Sequence, residues 1–131
     1  MILDSSAIIA ILQQEHDAEN FADAIDAAAT RRISAATYLE AAIVIDSKRQ
    51  PAASLKLDDL LQRTSTAVVA VDEAQARIAR EAYRKFGKGS GHKAKLNFGD
   101  CLAYALAKAT GEPLLYKGRD FSHTDVASAL K

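Results

Sequence analysis

Four acidic residues, Asp4, Glu40, Asp100 and Asp120, stand apart from the other aspartates and glutamates of this chain by the company they keep. Asp4 follows the apolar pair Ile2-Leu3 and precedes Ser5-Ser6, so it ends a strand and opens a helix. In open parallel sheets the carboxyl ends of strands are where ligands bind. The same position equally suits a plain helix cap. Glu40 lies within Thr37–Ile45 (TYLEAAIVI), and Ile43 and Val44 share its helix face. Burying a glutamate on such a face is costly unless a cation or a hydrogen-bond donor satisfies it. No lysine or arginine stands at helical spacing from it, which leaves a tertiary ion pair as the alternative. Asp100 opens Asp100–Ala107 (DCLAYALA) three residues after Asn97, where a capping acid is the plainer role. Asp120 lies just beyond the strand-like Pro113–Tyr116, where a turn aspartate is the plainer role.

Brought together, these groups cannot all stay ionised alone. Two carboxylates ~4 Å apart repel by about 4 kcal/mol at an effective dielectric of about 20. Such a pair shares a proton or binds a cation. All-oxygen ligation, with no matching histidine or cysteine cluster, favours Mg²⁺ or Mn²⁺ over Zn²⁺. Carboxylates that leave coordination positions open suit phosphodiester hydrolysis.

The elements that must position these acids can be read from periodicity and caps. Helices are expected over Ala7–Gln14, Asp17–Ala29 and Thr37–Lys48, the last largely buried. Another starts near Pro51, with Leu55, Leu57, Leu60 and Leu61 on its apolar side. Asp72 with Gln75 resembles a capping box for a helix ending at Phe86-Gly87, and Asn97 caps one that reaches Gly111. Short strands are expected at Ile2-Leu3, Arg32–Ser34, Pro113–Tyr116 and Asp125–Ala127, with Ala67–Val71 (AVVAV) as a buried strand. Strands alternating with helices imply an α/β fold, a parallel sheet covered on both faces.

The chain has no repeat, linker or low-complexity tract, and its 131 residues are read as one domain, 1–131. A hydrophobic fraction of 49% with 26% charged residues is ordinary for a globular protein, and no apolar run is long enough for a membrane span. A cytoplasmic protein is expected. Cys101 is the sole cysteine, so an internal disulfide is excluded, and its apolar neighbours favour a buried hydrophobe over a catalytic thiol. The zero net charge is unevenly spread. Residues 1–66 carry ten acids and six bases (−4), and residues 67–131 seven acids and eleven bases (+4). Arg84–Lys95 (RKFGKGSGHKAK) has five bases, one histidine and no acid. Such a run is a solvated loop or, beside a phosphate-cleaving site, a place to hold a polyanion.

The four acids and the words around them resemble the PIN-domain ribonucleases, and among them the VapC toxins of bacterial toxin–antitoxin modules. The match runs in order along essentially the whole chain: Met1–Ala7 (MILDSSA), Ser34–Ala41 (SAATYLEA), Leu96–Ala107 (LNFGDCLAYALA) and Pro113–Asp125 (PLLYKGRDFSHTD). The resemblance implies a three-layer α/β/α PIN-like domain with a mainly parallel central sheet. It implies catalytic and metal-binding roles for Asp4, Glu40, Asp100 and Asp120, with Ser6 as a hydroxyl support. In it Asp4 and Asp100 are the main ligands of Mg²⁺ (or Mn²⁺), and Glu40 completes the site or orients the attacking water. It further implies an endoribonuclease toxin acting on structured RNA (tRNA or rRNA), a homodimer, and a cognate VapB-like antitoxin that blocks the acidic groove. Lys88, His92, Lys93 and Lys95, close before Asp100, are candidate phosphate contacts. One departure stands out: many relatives carry an acid two residues before the Asp-Phe pair, and that place is Gly118 here. Asp120 must then supply the fourth carboxylate, at longer range or through water.

Two other classes compete. A phosphoaspartyl phosphatase needs a second acid two residues after its nucleophile, and here that position is Ser6; a receiver domain expects paired early acids, which the chain lacks. A PIN-like RNA-binding or scaffold module without catalysis remains the non-enzyme alternative.

Overall fold

A computed structural model describes residues 1–130. In chain order the elements are β1 (Ile2–Leu3), α1 (Ser5–Leu12), α2 (Ala18–Ala27), β2 (Arg32–Ser34), α3 (Ala35–Asp46) and α4 (Pro51–Arg63). They continue with β3 (Ala67–Val69), α5 (Glu73–Phe86), α6 (Phe98–Thr110), β4 (Leu114–Leu115) and a 3-10 turn at Phe121–His123. The strands form one sheet in the order β3-β2-β1-β4, and every pairing is parallel.

Alternation along β1 and β4 fixes the layers. Ile2 and Leu114 turn to one face, where Ala79, Ala82 and Phe86 of α5 and the length of α6 close over them. Leu3, Ile33 and Leu115 turn to the other, against Ala7, Ile8 and Ala10 of α1, Phe21 and Ile25 of α2, Ala41 of α3 and Leu57, Leu60 and Leu61 of α4. Successive strand residues point to opposite faces, so a two-residue strand supplies one side chain to each core. The result is the expected α/β/α sandwich. Its most enclosed helix is α6, in which every residue from Cys101 to Ala107 is buried. Gly111 ends α6 in the left-handed conformation (φ 69°), which glycine adopts without a side-chain penalty.

Several local expectations shift. The first helix starts at Ser5, because Asp4 caps it two residues earlier than the apolar pattern suggests. The β-branched run at Ala67–Val71 yields only a three-residue strand, and it lies at the sheet edge with Ala67 and Val68 exposed. Helix α3 is not largely buried: Thr37, Ala41 and Ile45 face the core, whereas Leu39 and Ile43 are more than half exposed. Leu55 of α4 likewise points outward, at 71% exposure. Near Asp125–Ala127 a single parallel bridge, Leu114 to Ser128, replaces the expected strand. At α5 only half of the capping box forms: Asp72 accepts from the Gln75 N–H, while the Gln75 side chain donates to the Ala70 carbonyl. No helix is long and apolar enough to cross a membrane among the described residues.

Candidate active site

Asp4 stands where β1 meets α1, at the carboxyl edge of the sheet. Its Oδ2 accepts from the Ser6 N–H (3.1 Å) and from Ser6 Oγ (2.5 Å), so the helix-cap role holds. Ser6 Oγ in turn accepts from the Lys117 N–H just beyond β4, at 2.9 Å, which ties the cap to the neighbouring strand. Only one carboxylate oxygen is used in this way. Asp4 is 3% exposed, and its Oδ1 is buried without a hydrogen-bond partner.

The N-terminus of α6 brings the second acid. Asn97 Oδ1 accepts from the Asp100 N–H (2.8 Å), and Asp100 Oδ2 accepts from the Asn97 N–H (3.0 Å). This reciprocal box fixes the Asp100 side chain and satisfies two otherwise free helix-end donors. Glu40, half-buried on α3, accepts a 2.7 Å hydrogen bond at Oε1 from Ser5 Oγ. Its carboxylate lies against the bare Cα of Gly99, where a methyl group would overlap Oε2 and stand 2.8 Å from Cδ. Glu40 takes no part in an ion pair among the described residues. Ser5 and Gly99 escape a reading by residue type, since neither carries charge. Their signal is adjacency to Asp4 and Asp100.

Electrostatics join the acids into one group. Burial pushes the Asp4 carboxyl up to about 6; the Ser6 hydrogen bonds oppose that rise, and the charges of Asp100 and Glu40 add to it. Burial also raises Asp100, opposed by the Asn97 hydrogen bond and the Lys88 charge and reinforced by Glu40 and Asp120. Asp120 is exposed at the start of the 3-10 turn and acts on Asp100 by its charge, without a side-chain capping bond. Gly118, at the place of the missing acid, has φ 94°. The buried Cys101 thiol is pushed up to about 11, chiefly by burial and then by Asp100, which removes it as a nucleophile.

A hard divalent cation fits these residues. No three His, Cys, Asp or Glu side chains among the described residues close tightly enough to enclose an ion by themselves. Mg²⁺ does not require such a cage: it is commonly held by one or two carboxylates and keeps several waters. The donors here are oxygens only, and the unpartnered Asp4 Oδ1 is an anionic atom that lacks any compensating protein donor.

Beside this acidic edge runs the loop between α5 and α6. Lys88, Gly91, His92 and Lys95 line a cleft of about 300 Å³. His92 is less free than a solvated loop residue. Its Nδ1 accepts from the Ala94 N–H (3.0 Å) and its ring meets Phe86 edge-on at 5.0 Å, so a neutral ring carries its hydrogen on Nε2. Lys93 is exposed on the same loop, and Lys95 takes a left-handed backbone conformation (φ 50°).

Comparison with known proteins places the whole chain beside a single family. The PIN domain family matches residues 1–127. Ribonuclease VapC28 of Mycobacterium tuberculosis is 58% identical over 130 residues, covering 99% of this chain and 98% of that protein. Among solved structures, a toxin-antitoxin complex from Klebsiella pneumoniae has a TM-score of 0.73 at 16% identity, over 99% of this chain and 98% of that one. Mycobacterium tuberculosis VapC20, described as a sarcin-ricin loop cleaving toxin, has a TM-score of 0.74 at 14% identity, over 96% and 95%. At such identities the structural likeness establishes the fold.

Proposed function

The chain belongs to the PIN-domain family, among the VapC ribonucleases, and we propose that it is a Mg²⁺- or Mn²⁺-dependent endoribonuclease whose site is built from Asp4, Asp100, Glu40 and Asp120. The observation that carries this reading is the buried Asp4 carboxylate with an unpartnered Oδ1, set among the charges of Asp100 and Glu40. A structural cap would not need a second oxygen held dry and unsatisfied.

In this reading Asp4 Oδ1 and the Asp100 carboxylate hold the cation. Each is fixed through its other oxygen, Asp4 by Ser6 and Asp100 by the Asn97 N–H. A bound divalent ion supplies charge stabilisation at the phosphoryl oxygen and lowers the pKa of a bound water. Glu40, anchored through Oε1, keeps Oε2 to complete the cation's site or to orient the attacking water by accepting its hydrogen. Asp120, exposed at the rim, contributes charge and acts through water. Lys88, His92, Lys93 and Lys95 take RNA phosphates on the flank of the scissile bond; Lys88 already acts electrostatically on Asp100.

The substrate class is structured RNA, tRNA or rRNA, and the cellular role is that of a toxin held in check by a VapB-like antitoxin seated over the acidic groove. A homodimer is proposed as well. Its support is the apolar surface around Phe98, which is 79% exposed between one groove lined by Val71, Ala79 and Tyr83 and another lined by Leu39, Ile43 and Val44. Surfaces of that kind mark an interface.

The direct test is incubation of the partner-free protein with tRNA and rRNA in Mg²⁺ or Mn²⁺, beside an Asp100→Asn control. Metal-dependent cleavage by the wild type alone is expected. Equal cleavage by both would remove these acids from the chemistry, and RNA binding without cleavage would favour the scaffold alternative.

A further inference from the structure

We propose that Ser5 and Gly99 are positioning residues for Glu40: Ser5 anchors its carboxylate and Gly99 gives it room at the foot of α6. The inference rests on the metal-site reading above and adds residues that touch no metal in it.

Three observations converge. Ser5 Oγ donates to Glu40 Oε1 at 2.7 Å, the one side-chain hydrogen bond Glu40 receives among the described residues. Gly99 is the second residue of α6, and a methyl there would occupy the volume of Glu40 Oε2. Asp100, the next residue, is held in place by its own capping box and faces Glu40 with a like charge. Glu40 is thus pressed towards like charges, and an unanchored glutamate would swing away into solvent. The adjacent serines divide the work. Ser6 holds Asp4, while Ser5 holds Glu40, so the first turn of α1 fixes two carboxylates from two neighbouring hydroxyls.

Gly99 has no positive φ and sits in a helical turn, where alanine is the better helix former. What a methyl meets is the far end of a flexible side chain, not backbone. Gly99→Ala therefore folds, and it moves Glu40 without touching Asp4 or Asp100. Function at this position requires the absence of a Cβ, whereas stability favours its presence.

The test is Mn²⁺ titration calorimetry on the wild type, Ser5→Ala, Gly99→Ala and Glu40→Gln, with Gly99→Ala also placed in the Glu40→Gln background. Thermal denaturation in chelator and a crystal structure of Gly99→Ala complete it. Gly99→Ala should melt no lower than wild type yet bind Mn²⁺ about tenfold more weakly, the lower end of the effect of losing a supporting partner. Ser5→Ala should weaken binding in the same direction, and Ser5→Thr, which keeps the hydroxyl, should restore it. In the Glu40→Gln background Gly99→Ala should add nothing, since both changes act through one side chain. The crystal structure should show Glu40 withdrawn from Ser5. Unchanged Mn²⁺ affinity in Gly99→Ala, or Glu40 still bonded to Ser5 in that variant, overturns the positioning role alone. Absence of Mn²⁺ binding by the wild type overturns the metal-site reading and this inference with it.

Discussion

Burial of the Asp4 carboxylate has an electrostatic cost, and that cost has a sign. The folded carboxyl titrates at about 6, against an ordinary value of 3.8, so between these values the native state holds a proton that the unfolded chain has released. Its contribution to stability is therefore fully present below about pH 4 and is lost as the pH rises through about 6, a swing on the order of 3 kcal/mol. Asp4→Asn, which keeps an acceptor for Ser6 but has no charge to bury, should be more stable than wild type in chelator at pH 7.5. The advantage should shrink towards pH 4 in urea titrations across that range. A variant less stable at pH 7.5 would show that burial of the charge is not what raises Asp4. Much of this candidate site was legible in the residues, because Asp4, Glu40 and Asp100 each sit where a solvated acid would not. Ser5 and Gly99 were not, since a hydroxyl or a missing Cβ acquires a role only once the fold sets it against a particular carboxylate.

At the scale of elements, α6 holds much of the site through its first turn. Asn97 and Asp100 exchange two hydrogen bonds there, and an asparagine at position 100 can still accept at Oδ1 from the Asn97 N–H. Asp100→Asn should consequently lose cleavage while melting close to wild type. Asn97→Ala removes the acceptor for the Asp100 N–H and should cost about 1 kcal/mol, the usual value of a lost N-cap. Parallel chemical-denaturation curves for the two variants check both expectations; a large loss in Asp100→Asn would make its inactivity a folding effect. That box was readable because its partners are three residues apart. The edge position of β3 was not, since a β-branched run such as Ala67–Val71 records a preference for strand and leaves its place in the sheet to topology. Leu39 and Ile43 mislead in a related way. An apolar stripe shows that a helix face avoids water, and it is silent on whether the cover comes from the same chain or a second one.

At the scale of the whole molecule, two surfaces follow from how the charge and the apolar area are distributed. The apolar one surrounds Phe98, and a second copy covering it would make a symmetric dimer. Phe98→Glu should convert a dimer to a monomer of 14.0 kDa by light scattering, because the substituted ring contributes to no core in the isolated fold. An unchanged dimer mass would place the interface elsewhere. The charged surface is the basic loop before α6, where Lys88, His92 and Lys95 line a cleft, Lys93 is exposed, and the Lys88 charge acts on Asp100. The acids repel the substrate that the reaction requires, so attraction has to come from cations alongside them. Each lysine–phosphate contact releases condensed counterions, which makes affinity fall with salt in proportion to the contacts made. Removing Lys88, Lys93 and Lys95 together by alanine substitution should lower the slope of log K against log salt by about 2 for single-stranded RNA. Measured with Asp100→Asn, so that the RNA survives, the affinities of the triple variant and its parent should converge at high salt. Parallel lines of equal slope would mean that this loop is only a solvated link between α5 and α6, and that the RNA approaches the carboxylates from another side.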